Sequence, residues 1–162
     1  DTYLVVENLR RFLQGKNSSA PVYYGHHFRG YTRQGYMSGG AGYVLSREAL
    51  GRLAGALRGS NSCSRRRWVT KAEDVAMGEC MSRLGVAPGD SRDSLNRSRF
   101  LPMSVHTFFS NRLPEWYHRF AMYPVEKGRG CCSDSLISIH YVTDRLDMQL
   151  LDYYIHDLHL ST

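Results

Sequence analysis

The stretch Gly35 to Leu45, GYMSGGAGYVL, constrains this chain more than any other. Gly39, Gly40 and Gly42 strip side chains from the tip of a turn. Such residues allow positive φ and close approach of another backbone or a ligand. Tyr36, Met37 and Tyr43 flank the turn with large, partly polar surfaces. Two readings fit. The glycines serve geometry alone in a strand–turn–strand, or the turn faces a substrate. The rest of the chain has to choose between them.

Short apolar runs alternate with helical periods along the sequence. Leu4, Val5, Leu9, Phe12 and Leu13 recur at helical spacing and predict an amphipathic helix ending near Gly15. Pro21 to Tyr24 predicts a short strand stopped by Gly25, and a second extended piece is expected around Tyr31 to Gln34. Ala41 to Leu45 predicts a buried strand. Ser46 then caps a helix carried through Leu57 and ending by Gly59. Ser60 to Trp68 predicts a polar, basic loop. Lys71 to Leu84 predicts a further helix, and Pro88-Gly89-Asp90 a turn.

Ser91 to Lys127 is aromatic without a clean period, so long loops with short elements are expected. Ser135 to Val142 alternates as a strand, and Leu146 to Leu158 predicts a terminal helix. Strands alternating with helices argue an α/β domain. A chain of 162 residues, 42% hydrophobic and 22% charged, fits one domain with a real core.

The net charge of +6 favours anionic partners. It is scattered except at Arg65, Arg66 and Arg67, and no RNA- or DNA-binding signature accompanies those three. No nucleic-acid partner is therefore expected. Asn17-Ser18-Ser19 and Asn96-Arg97-Ser98 match the N-glycosylation sequon. With Cys63, Cys80, Cys131 and Cys132 in no zinc spacing, they lean toward a disulfide-permissive lumen.

Glu73-Asp74 opens a helical segment. The helix dipole alone would favour both acids there. Neighbours on a helix face different ways, so one carboxylate can enter a cleft while the other supports it. A carboxylate within reach of a hydroxyl can act as general base. His140 lies in the alternating strand, where a lone His is more often structural. Asp1 alone would read as a frayed end.

DTY at the start, QGYMSGGAGYVLS, EDVAMGECM, PGDSRD, GCCSD and SIHYV occur in this order. Together they closely resemble the core 1 β1,3-galactosyltransferase family, a branch of the β1,3-glycosyltransferases that include Fringe. The resemblance covers essentially the whole chain. It implies the C-terminal part of a GT-A, Rossmann-like α/β domain that binds a UDP-sugar beside a divalent metal, usually Mn²⁺. Asp1 matches the last acid of the DxD metal motif and His140 the later His of the metal site. Asp74 matches the catalytic base, with Glu73 supporting it. The N-terminal nucleotide-binding half and the membrane anchor are expected outside residues 1–162. The isolated chain is accordingly expected to be inactive.

The implied reaction is inverting transfer of galactose from UDP-galactose to the 3-hydroxyl of GalNAc on Ser or Thr of glycoprotein acceptors. Tyr36, Gly39, Gly40, Trp116 and Tyr117 are candidate walls of the donor and acceptor pockets. The resemblance also implies a type II membrane protein of the Golgi and secretory pathway with a lumenal catalytic domain. It brings a homodimer and a dedicated chaperone into consideration as partners. The alternative is a non-catalytic relative on the same fold, acting as a chaperone or glycan-binding protein. The presence of Asp1, Asp74 and His140 argues against it.

Cys63 and Cys80 are 17 apart and could clip the Arg-rich loop onto its helix. Cys131-Cys132 forms either a vicinal bridge or a link to a cysteine elsewhere, and free thiols are the remaining choice.

Overall fold

The computed structural model describes residues 1–59, 63 and 72–157. The Arg65–Arg67 cluster and Leu158, the last residue of the expected terminal helix, lie outside the described residues. Three small sheets carry the strands. β1 (Tyr3–Leu4), β8 (Ser138–Ile139) and β7 (Phe100–Leu101) lie side by side in that order. β1 runs antiparallel to β8, whereas β7 runs parallel to it with Phe100 beside Ser138. In the second sheet, β2 (Val22–Gly25) is flanked by antiparallel β5 (Tyr43–Leu45) and parallel β6 (Ala87–Gly89). β3 (His27–Phe28) and β4 (Tyr36–Met37) form an antiparallel pair.

The helices follow the apolar periods. α1 (Val6–Gln14) starts two residues later than Leu4, because Tyr3 and Leu4 are taken by β1. α2 (Arg47–Gly59) is capped as its sequence predicts, with Ser46 Oγ accepting from the Ala49 amide at 3.0 Å. α3 (Glu73–Arg83) buries Val75, Ala76, Gly78, Cys80 and Met81. α4 (Val105–Phe109) and α5 (Glu115–Phe120) lie within the aperiodic stretch. α6 (Arg145–Asp152) continues into a wider helical turn, Tyr153–Asp157.

Two expectations are corrected. Residues 31–34 form bends and a turn rather than a strand, with Tyr31 and Gly30 both at positive φ. Pro88 and Gly89 belong to strand β6, where Pro88 sits opposite Tyr23. A proline is tolerated there because β6 pairs on one side only.

Three apolar clusters hold these pieces. Phe28, Tyr36, Leu101, Phe108, Tyr117 and Ile139 lie in the largest. Tyr23, Met37, Ala49, Cys80 and Met81 form a second between α2, α3 and the β2 sheet. Ala41, Phe100 and Ile137 form a third, against which Leu9 and Phe12 of α1 pack. Both cysteine pairs are bridged, Cys63 to Cys80 and Cys131 to Cys132.

α3 lies unusually close to β4. A β-carbon on Gly78 would overlap the Tyr36 side chain and stand 3.0 Å from the Tyr36 α-carbon. Only glycine allows that approach, and it sets how far the first turn of α3 reaches toward the glycine turn.

Candidate functional site

The glycine turn is a fixed structure. Gly42 closes it by donating its amide to Gly39 O at 2.9 Å, at a φ of +75°. Ser38 is buried and anchors the near side through its amide to His26 O at 2.9 Å. Ser138 of β8 donates its hydroxyl to Ala41 O. The turn is thereby tied to the sheet that carries His140.

The first turn of α3 meets the turn from one side. The Gly39 amide donates to Asp74 Oδ2 at 3.1 Å, and the Val75 amide donates to Asp74 Oδ1 at 2.8 Å. Two backbone donors thus hold the Asp74 carboxylate in one orientation while each oxygen keeps lone-pair capacity. Glu73, one residue earlier, also reaches the turn and accepts from the Tyr43 hydroxyl. A β-carbon on Gly39 would stand 3.1 Å from Glu73 Oε2 and 3.3 Å from Asp74 Cβ. Glycine at 39 is therefore what lets both acids approach the turn.

His140, paired with Asp1, meets the turn one residue further on, at Gly40. His140 Nε2 lies 3.2 Å from Asp1 Oδ1, and Nδ1 lies 3.2 Å from Pro102 O. The carbonyl can only accept, so Nδ1 carries the proton that it receives. Nε2 faces the Asp1 carboxylate, so an imidazole nitrogen and a carboxylate oxygen stand where both could hold one cation. A His ligand whose other nitrogen donates to a backbone carbonyl is oriented in the way metal sites use. Carboxylate oxygen and imidazole nitrogen together suit a divalent first-row ion such as Mn²⁺. Among the described residues no third His, Cys, Asp or Glu completes a cluster with them.

Asp1 is not frayed. Its carbonyl accepts the Val142 amide at 2.9 Å, and Thr2 Oγ1 donates to Gly40 O at 2.7 Å. The ring of His140 fills the space beside Gly40, where a β-carbon would overlap it.

The aromatic candidates divide. Tyr36 is buried on β4 near Asp74, and burial, with Asp74 and Tyr31 adding, pushes its hydroxyl up to about 12. Trp116 is half-exposed and packs on Phe28, which also contacts Tyr36. Tyr117 does not join Trp116 at the surface. It is 2% exposed, its hydroxyl meets His26 Nε2 at 3.2 Å, and its ring packs on Phe28 and Phe108. Its sequence neighbour Trp116 points out of α5 while Tyr117 points in, as adjacent helical positions must.

Sequence reasoning missed Gly78, Pro102 and the partnership of Tyr43 with Glu73. A glycine inside an otherwise good helix was the one available signal for Gly78. Pro102 acts through its carbonyl, which residue identity does not reveal.

A family description termed Fringe-like matches residues 1–95. The whole chain is similar to glycoprotein-N-acetylgalactosamine 3-beta-galactosyltransferase 1 of Xenopus laevis. Identity is 43% over 162 residues, covering 98% of this chain and 44% of that protein. A shorter similarity, 33% over 95 residues, links it to chondroitin sulfate synthase 3 of Mus musculus, covering 52% of this chain and 10% of that protein. The chain therefore spans less than half the length of these curated relatives.

Proposed function

The chain belongs to the Fringe-like family, and on that premise we propose that it carries the catalytic base of an inverting β1,3-galactosyltransferase. The α/β architecture is that of a GT-A fold. The observation that supports the reading is that one short turn is met by Asp74 at Gly39 and by His140, paired with Asp1, at Gly40.

In this reading Asp74 takes the proton from the 3-hydroxyl of a GalNAc linked to Ser or Thr. That oxygen forms a bond to the anomeric carbon of UDP-galactose as the bond to the diphosphate breaks, and UDP leaves with the electron pair. Glu73, braced by Tyr43, fixes the first turn of α3 beside the base. Gly39 and Gly40 let Asp74 and His140 close on the turn, and the half-exposed face of Trp116 offers a surface for sugar C–H groups. Asp1 and His140 would hold a divalent cation, Mn²⁺ by preference, which neutralises charge growing on the leaving diphosphate. The relative from Xenopus is named for galactose transfer to protein-linked GalNAc, which supports the choice of donor and acceptor. A lumenal, membrane-anchored setting in the Golgi follows from the same reading.

The test is a radiolabel assay of the full-length gene product on a GalNAc-peptide, with UDP-galactose and UDP-GlcNAc in parallel, with Mn²⁺ and with EDTA. Galactose incorporation that EDTA abolishes is the expected result. Transfer of GlcNAc instead, or no transfer with either donor, overturns the reading.

A further inference from the structure

β7 and β8 run parallel, and the residues that follow them, Pro102 and His140, lie at their C-terminal ends. The opposite ends of the same strands have a different character. Arg99 and Ser135, which precede β7 and β8, face the C-terminal end of α1 there. With Arg11 and Lys16 from α1 and its exit, and Arg92 from the preceding loop, they wall a cleft of about 350 Å³. None of Asp1, Asp74 and His140 lines it. A volume of this size accommodates a sugar-sized ligand.

The cleft has four cationic walls and no carboxylate among its lining residues. Arg92 is paired outside it, with two nitrogens on the Asp90 carboxylate at 2.7 and 3.0 Å. Arg99 is half-buried and meets only neutral acceptors, Ser135 Oγ at 3.2 Å and Ser91 O at 3.4 Å. Among the described residues, neither Arg11, Lys16 nor Arg99 forms an ion pair. Phe12 gathers two of the charges. Lys16 Nζ stands 4.6 Å from the ring centre and the Arg99 guanidinium 5.6 Å. Cation–π contacts of this kind hold charged heads in place while leaving their N–H groups unspent.

Arg11, Lys16 and Arg99 bring three like charges without an ion-pair partner to one cleft, and a bound anion relieves their mutual repulsion. Arginine forks are matched to oxyanions with several equivalent oxygens. We propose that this cleft is an anion site that takes a phosphate or sulfate group, carried free or as an ester on a sugar. It is separate from the sugar-transfer site at the other ends of the strands.

The experiment is titration calorimetry of the full-length gene product with inorganic phosphate, inorganic sulfate and glucose 6-phosphate at low ionic strength. Saturable binding of at least one is expected. Arg11→Gln/Lys16→Gln, both at exposed positions, should weaken it by roughly tenfold or more with the melting temperature unchanged. Arg58→Gln on α2 should leave it intact. Equal affinity for the free anions and the ester identifies a free-ion site, and tighter binding of the ester identifies the ester as ligand. No saturable binding by any of the three, or equal binding by the double variant and the wild type, overturns the proposal. Because Asp74→Asn leaves this cleft untouched, the calorimetry and the galactose assay fail independently.

Discussion

The imidazole of His140 occupies the space in which a side chain on Gly40 would begin. One hundred residues of sequence separate the two, yet each fixes the other. The ring is steadied by Pro102 O on one nitrogen and faces Asp1 on the other. Gly40→Ala must push it off both partners. In the full-length gene product, the Mn²⁺ concentration for half-maximal transfer should rise on the order of 10–100-fold. Stability should fall by about 1–3 kcal/mol. Gly42→Ala is the control. A β-carbon there meets open space but a φ of +75°, so it should cost about 1–2 kcal/mol without moving the Mn²⁺ requirement.

Asp74 is held by two amides and lies beside the turn rather than buried beneath it. Asp74→Asn keeps the shape and one acceptor but removes the base. Initial-rate assays should show kcat reduced by roughly 10²–10⁴, with UDP affinity nearly unchanged. Glu73→Gln should cost far less, since Glu73 serves Tyr43. Unchanged turnover in Asp74→Asn would remove it from the base role.

His26 makes the fold sensitive to acid. Its Nδ1 lies 3.1 Å from Phe100 O and its Nε2 lies 3.2 Å from the Tyr117 hydroxyl, an arrangement that the neutral ring satisfies. Burial is the main cause that lowers its pKa to about 4 from an ordinary 6.5. Between those values the unfolded chain binds more protons, so stability is complete above pH 6.5 and declines as the pH falls toward 4. The loss should be roughly 2–3 kcal/mol. His27, also lowered by burial, adds to it in the same direction. Denaturant unfolding at pH 7 and pH 4.5 checks this, and His26→Gln should show a flatter dependence than the wild type.

The Cys63–Cys80 bridge anchors α3 at its buried face and closes a loop across a separation of 17 residues. Replacing both cysteines by Ala should lower stability by roughly 3 kcal/mol. Chemical denaturation under oxidising conditions reads the change. A shift below about 1 kcal/mol would show that the unfolded chain already holds these two positions close together.

The legible parts of the sequence were those with local causes. Ser46 and the apolar period after it predict α2 with its cap, and the structure shows both. The stretch expected to alternate, Ser135 to Val142, does bury Ile137 and Ile139, but Ser138 between them is buried as well, so both faces of β8 are covered. The strand is nevertheless short, because Tyr141 turns to a φ of +59° beside the His140 ring. α4 and α5 escaped notice because helices of five and six residues offer too little length for a period. Their formation depends on Phe108 and Tyr117 packing together in the core, which is a tertiary cause. The family motifs named Asp1, Asp74 and His140. That all three converge on one turn came from pairings of distant segments, which residue spacing alone does not encode.

Gly78 carries no reactive group, yet it decides how deep α3 sits against Tyr36. Asp74 lies one turn earlier on that same rigid rod, so the rod's seating is also the carboxylate's position. A survey that scores residues by lost activity would therefore rank Gly78 among the essential ones. An engineer wishing to retune acceptor reach has, in this single missing methyl, a screw that adjusts the site from behind.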